Sequence, residues 1–424
     1  MVSSIYNLKA VLKIGTLLLL VVSIGCRGTG KAKDEVPAED PTARNNFKED
    51  VDFIKMHTEL IVLESNNGIS KIAISPELQA RVMTSTANGW NGASYGWINK
   101  ERFGSGDTLE HINAYGGEER FWLGPEGGQF SIFFKQGDEF NLDNWYTPRL
   151  IDLEPFDIIS RNDRAIQFKK EASLVNYSGF TFDLEISRKI SILSDQQIDS
   201  VLTITIGDAV KTVGYSTENI LTNSGNSPWT KDSGLLSIWI LGMYKHSPNT
   251  TVIIPYNRAA RTGQNSVVND DYFGKIPSDR LKIGEKAIFF KADGKERGKI
   301  GLGPDHAMDI LGSYDPNSNT LTIVKYNKPT GPADYVNSKW EIQADPFGGD
   351  VVNAYNDGPP EPGADPLGPF YELETSSPGA ILNSDESLTH IQYTFHFEGT
   401  PEALNVISRR LLHVSIPEIL NAFE

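Results

Sequence analysis

The segment FTFDLEISRKISIL, residues 180–193, alternates apolar and polar side chains over most of its length. That period of two suits a strand with one buried face and does not suit an amphipathic helix. Short runs of the same kind, bounded by Gly, Pro, Asn or Asp, fill most of the chain: LIVLES, KIAISP, QARVMTST, FSIFFK, AIQFKKEASLVNY, VLTITIG, KTVGYSTENIL, LLSIWILG, TVIIPY, KAIFFKA, LTIVKY and LTHIQYTFHFEG. Helical spacing is confined to the C-terminal PEALNVISRRLLHVSIPEILNAFE. The expected class is all-β, a large antiparallel sandwich with few short helices. No fixed repeat length points to a propeller or solenoid.

The N-terminus obeys a different rule. Lys9 and Lys13 precede or flank the apolar run IGTLLLLVVSI, which ends too soon to span a bilayer and reads as a signal peptide. It stops at SIGC, small residues before Cys26, a pattern that resembles a lipoprotein cleavage box with Cys26 as the acylated residue. Several acyl chains on one cysteine suffice for stable membrane attachment. Cys26 is also the single cysteine of the 424 residues, so no internal disulfide can brace the fold. The polar segment that follows lacks the apolar surface needed to order itself. The expected organisation is a signal peptide over 1–25, an acylated tether over 26–46, and one domain over 47–424. The expected location is the cell envelope, at the periplasmic face or the cell surface.

A formal charge of −16 argues against nucleic acid as a partner and leaves neutral ligands easier to accommodate. No phosphate-binding P-loop occurs, and GNSPW is not a nucleophile elbow. Neither a cofactor motif nor a tight Asp- or His-rich metal motif is present. Three long loops carry the sites expected on a sandwich: residues 88–106, 125–150, and 345–369, the last with no evident core pattern.

Within GGEERFWLGPEGG, Arg120 and Trp122 share one face if the segment is extended. An indole and a guanidinium side by side suit a sugar, the ring covering C–H groups and the charge bonding hydroxyls. A core tryptophan beside an Arg120–Glu126 pair explains the same residues. Glu372 and Glu374 also share a strand face, ~7 Å apart. They suit divided acid and base roles, Ca²⁺ held together with acids of the 353–365 loop, or pairing to arginine. Arg81, Asn113, Asn356 and Asp357 are further polar candidates. His390, Gln392, Thr394 and His396 alternate with apolar residues and read as a solvated face.

KIAISPELQARVMTS, then GGEERFW, then the LET of FYELETSSPG stand in an order that resembles the galactose mutarotase-like superfamily. WLGPEGGQ and GDVVNAYNDGP are similar to an uncharacterised group of bacterial lipoproteins within it. The resemblance implies a β-supersandwich of two large antiparallel sheets with a concave sugar-binding face, and a carbohydrate ligand. It implies that Glu374 is the base that takes the anomeric proton. The family's acid histidines are absent: Tyr115 stands before the Gly-Gly pair and Ser224 follows Asn223. His111, on the face it shares with Asn113 and Tyr115, is the substitute candidate. Two function classes stay open, epimerase-like acid–base chemistry on a sugar and non-catalytic sugar binding in the same cleft.

Overall fold

The computed structural model describes residues 45–258, 267–360 and 363–424. The expected signal peptide, Cys26 and nearly all of the tether lie outside them. The described strands, in chain order, are β1 (Ile61–Glu64), β2 (Lys71–Ser75), β3 (Arg81–Thr86), β4 (Arg120–Gly124), β5 (Asp157–Arg161), β6 (Ala165–Val175), β7 (Thr181–Ile192), β8 (Lys211–Asn223), β9 (Ser237–Lys245), β10 (Thr251–Pro255), β11 (Leu281–Ile283), β12 (Ala287–Lys291), β13 (Gly298–Leu302), β14 (Ile310–Asp315), β15 (Thr320–Tyr326), β16 (Val352–Asn356), β17 (Phe370–Ser376) and β18 (Ser387–Glu398). They form a ten-stranded sheet in the order β11-β12-β10-β14-β15-β18-β8-β7-β6-β5, a five-stranded sheet in the order β13-β16-β17-β9-β4, and a small sheet of β1-β2-β3. The expected all-β class holds, with large antiparallel sheets and few short helices.

One face of the five-stranded sheet builds the core. Phe121, Leu123, Ile238 and Ile240 pack with side chains of the ten-stranded sheet such as Phe168, Leu184 and Leu221. Ile300, Ala354 and Leu373 pack with Val252, Leu311 and Val324. Part of the far face of the ten-stranded sheet is covered as well: Ile323, Phe395 and Phe397 lie under the helices Asp195–Leu202, Pro401–Leu411 and Ile416–Leu420.

This double cover corrects the reading of β18. His390, Gln392, Thr394 and His396 are buried rather than solvated, because helices occupy the face opposite and the five-stranded sheet closes over theirs. They enter a polar layer inside the sandwich. His396 Nε2 lies 2.5 Å from Glu118 Oε1 and its Nδ1 lies 2.9 Å from Thr322 Oγ1. Thr375 Oγ1 donates to Gln392 Oε1 at 2.6 Å and lies 2.8 Å from His390 Nε2.

Three other expectations change. FSIFFK forms no strand, since its aromatic side chains fold over a sheet face instead of extending along an edge. VLTITIG begins inside the helix Asp195–Leu202, which Ser194 and Gln197 start with a capping box and whose Ile198 and Leu202 face the core. The 345–369 loop contains β16, a fully buried strand hydrogen-bonded between β13 and β17.

Candidate functional site

Ladder register decides which side chains meet. Glu374 stands opposite Leu241 on β9 and Asn353 on β16; Leu241 stands opposite Arg120, and Asn353 opposite Gly301. The next row on the same face runs Met243, Glu372, Tyr355, Lys299. On the other side of the Glu374 row, Trp122 stands opposite Trp239. Alternation within β4 and within β17, joined through the β9 ladder, thus brings Arg120, Trp122, Glu372 and Glu374 to one face.

That face points away from the inter-sheet core, into which Tyr371, Leu373 and Thr375 project. The sugar-binding face that the resemblance implies does not lie between the two sheets, because side chains already fill that space. Glu374 lies instead on the outer face of the five-stranded sheet, fully buried under a cover of other side chains. The roof is aromatic. Trp122 packs on Phe133 at 5.6 Å between ring centres, Phe133 on Trp145 at 5.9 Å, and Trp145 on Trp340 at 5.9 Å. Trp340 is tethered in turn, its Nε1 donating to Glu126 Oε1 at 3.1 Å.

Beneath this cover Glu374 Oε2 accepts from Trp239 Nε1 at 3.0 Å and from Lys299 Nζ at 2.9 Å, while Oε1 has no protein partner. Lys299 also lies 4.6 Å from the Trp239 ring centre and 5.6 Å from that of Tyr272. Burial draws its ammonium pKa down, yet the charge and hydrogen bond of Glu374 outweigh this and hold it above the ordinary value. Glu372 differs. Burial, and after it the charge of Glu374, push its carboxyl up to about 8 against the pull of Arg120 and Lys299. Arg120 approaches Glu372 only loosely, Nη2 to Oε1 at 3.9 Å, and its guanidinium lies 4.3 Å from the Trp122 ring centre. The alternative Arg120–Glu126 pair is replaced by Arg120 with Glu372 and Glu126 with Trp340.

The remaining candidates sit differently. Arg81 is buried and donates to Gly116 O and Gln79 Oε1, each at 2.8 Å. Asn113 grips Asp152 through its amide at 2.8 Å and its backbone N–H at 3.1 Å. His111 Nδ1 lies 2.5 Å from Trp145 O, with its ring stacked on Tyr146. Asn356 falls on the opposite face of β16 and holds Gly294 N–H at 2.9 Å and Glu296 O at 2.8 Å. Asp357 accepts from Tyr355 Oη at 2.6 Å and Gly368 N–H at 2.9 Å. Lys299, Trp239 and Tyr272 went unnoticed in the sequence. The available signal was Lys299 itself, a lone charge in the apolar strand GKIGL. Among the described residues no three His, Cys, Asp or Glu side chains gather as a metal site.

An open cleft of about 990 Å³ lies elsewhere, lined by Arg258, Lys286, Lys328, Arg409 and His413 among others. None of the expected site residues line it, so size does not locate the chemistry here.

A family described as "Family of unknown function (DUF6786)" matches residues 45–423. No curated protein matches the chain. Among solved structures, a galactose mutarotase-like protein from Lactobacillus casei ATCC 334 is 12% identical, with 80% of this chain and 99% of that one covered and a TM-score of 0.41. A galactose mutarotase related enzyme from Lactobacillus acidophilus is 9% identical, with 81% and 98% covered and a TM-score of 0.44. The Slr1438 protein from Synechocystis sp. PCC 6803 is 13% identical, with 81% and 96% covered and a TM-score of 0.45.

Proposed function

The chain belongs to the DUF6786 family, and on that premise we propose that it is a cell-envelope protein, lipid-anchored through Cys26, that performs acid–base chemistry on a sugar. One observation carries this reading: two carboxyl groups on one strand stand in unlike surroundings. Glu374 is ion-paired to Lys299, while burial and the charge of Glu374 push the Glu372 carboxyl up to about 8. Groups whose environments divide in this way are suited to the roles of base and acid. Sugar ring opening needs both, Glu374 to take the anomeric proton and Glu372 to give one to the ring oxygen. The unpartnered Oε1 of Glu374 is the atom that receives the proton.

Exchange between anomers, followed by NMR on a panel of aldoses, tests the chemistry. The expected result is exchange well above the buffer rate, lowered by at least 10²-fold, the usual size of an acid–base contribution, in Glu374→Gln. Exchange at the buffer rate throughout the panel would falsify it. The burial of Glu374 favours a second reading, a binder without chemistry. In that case Glu374→Gln leaves sugar retention intact, and Trp122→Ala abolishes it.

A further inference from the structure

The open cleft of about 990 Å³ lies at one end of the ten-stranded sheet, where the chain leaves β10 and β15 and enters β12 and β14. It inverts the charge of the molecule. Asp and Glu outnumber Lys and Arg by 55 to 39 in the whole chain, yet in this lining four permanent cations, Arg258, Lys286, Lys328 and Arg409, face two acids, Glu285 and Asp309. Both acids already have partners: Glu285 Oε1 lies 3.8 Å from Arg258 Nη1, and Asp309 pairs with Lys325, outside the lining. Glu418 lies in the field of Lys286 and Arg409, but its Oε2 caps the helix Ile416–Leu420, accepting from Ser415 N–H at 2.7 Å and from Ser415 Oγ at 2.6 Å. Lys328 Nζ donates to a neutral group, Pro304 O, at 2.7 Å. Among the described residues no carboxylate forms an ion pair with Lys286, Lys328 or Arg409.

We propose that this cleft binds a short acidic oligosaccharide whose carboxylates sit on separate units, at a site independent of Glu374. The spacing of the cations selects separated charges. β10 and β14 stand between β12 and β15, and neighbouring strands lie ~4.8 Å apart, so Lys286 and Lys328 are rooted roughly 14 Å from each other. A row of that length suits spread carboxylates better than one phosphate. The volume falls within the range of pockets that take small ligands, and Asn257 and Thr330 add amide and hydroxyl groups to the wall. Other anions fit less well. Tyr256 is the one Phe, Tyr or Trp among the described lining residues and is only 6% exposed, so no open ring awaits a nucleobase. Peptides dock as an added strand or as a helix in an apolar groove, whereas the four strands that end here are all interior to their sheet and the walls are charged. A long polyanion would run on over a molecule of net charge −16, which repels it.

Titration calorimetry of the full chain with a galacturonate disaccharide, its neutral galactose counterpart, inorganic phosphate and tetraglutamate, beside flotation with phosphatidylglycerol vesicles, tests this. The acidic disaccharide is expected to bind about tenfold more tightly than the neutral one, the size of two exposed charge contacts, and to weaken as salt screens the cleft. Lys286→Gln and Lys328→Gln are each expected to weaken it about threefold, and Lys286→Arg and Lys328→Arg to restore it. Anomer exchange is expected to be unchanged in these variants, and Glu374→Gln to bind the acidic disaccharide normally, so that the cleft and the Glu374 site stand or fall separately. Should Lys328→Gln fail to fold on losing its bond to Pro304, Lys286→Gln and the salt series carry the same test. Equal binding of the two disaccharides, or binding that survives both glutamine variants, overturns the charge assignment. Phosphate or tetraglutamate bound as tightly as the acidic disaccharide overturns the sugar. Vesicle binding through the same lysines without disaccharide binding makes the cleft a membrane contact instead, and no binding of any probe removes the site.

Discussion

Glu374 has two oxygens in unlike circumstances, one shared by an indole and an ammonium and one with no partner. Its neighbour Glu372 carries the measurable consequence. A carboxyl raised from 4.5 to about 8 binds more protons folded than unfolded across that interval. Its contribution to stability is intact below about pH 4.5 and is eroded as pH climbs toward 8. The slope from one such group is at most about 1.4 kcal/mol per pH unit. Glu372→Gln removes the ionising group, so urea midpoints between pH 5 and 8 are expected to flatten in the variant and to fall in the unaltered protein. A parallel fall in both would assign the pH dependence to other groups. At this scale the sequence reveals half of the site. Arg120, Trp122, Glu372 and Glu374 could be placed on shared faces because alternation is local. Lys299 and Trp239 could not be joined to Glu374, because strands β13 and β9 reach it only through ladder register. Arg81, Asn113 and Asn356 were equally polar in sequence, and only the fold shows their groups bonded to backbone or to Asp152.

The glycines of GPEGGQ act at the level of elements, where they let one loop lie against another. A Cβ at Gly127 would meet Lys339 O at 2.3 Å, so the two backbones pass at a distance no side chain permits. Gln129 and Gln343 close the clasp with hydrogen bonds of 3.0 and 2.9 Å. The clasp holds Trp340 against Trp145 and Glu126. Gly127→Ala is expected to push the 338–343 segment outward and to cost about 1–3 kcal/mol, the usual toll of overpacking. Faster amide exchange in that segment, with the sheets unaffected, is the measurement that checks it. Unchanged exchange there would show that the loops absorb the methyl without parting. Element type was readable wherever one face of a strand packs and the other does not, as in β6 and β7. It failed where burial is two-sided or local signals compete. β16 is buried throughout and sits among prolines and glycines, so nothing in its period marks it out. β18 alternates correctly, but its polar face turns inward because the five-stranded sheet closes over it while helices cover the opposite face.

Across the whole molecule the sheets are tied by buried polar groups as well as by apolar contact. Arg188 on β7 is the clearest tie, and it is fully buried. Its Nη2 donates to Glu119 Oε1 at 2.7 Å just before β4, its Nη1 to Asn219 Oδ1 at 2.5 Å on β8, and its Nε to Ala80 O at 3.1 Å just before β3. One side chain thus touches segments leading into all three sheets. Burying the pair costs desolvation, so it adds little net stability compared with apolar residues of the same size; losing one partner is another matter, because it strands the other charge in the core. Arg188→Met is expected to cost about 3–5 kcal/mol in urea unfolding by that reasoning. The further change Glu119→Leu removes the stranded carboxylate and is expected to restore much of the loss, a coupling that a double-mutant cycle measures directly. If the double variant is instead as unstable as the two single losses added together, Arg188 and Glu119 act separately, and the sheets owe their mutual placement to apolar packing alone.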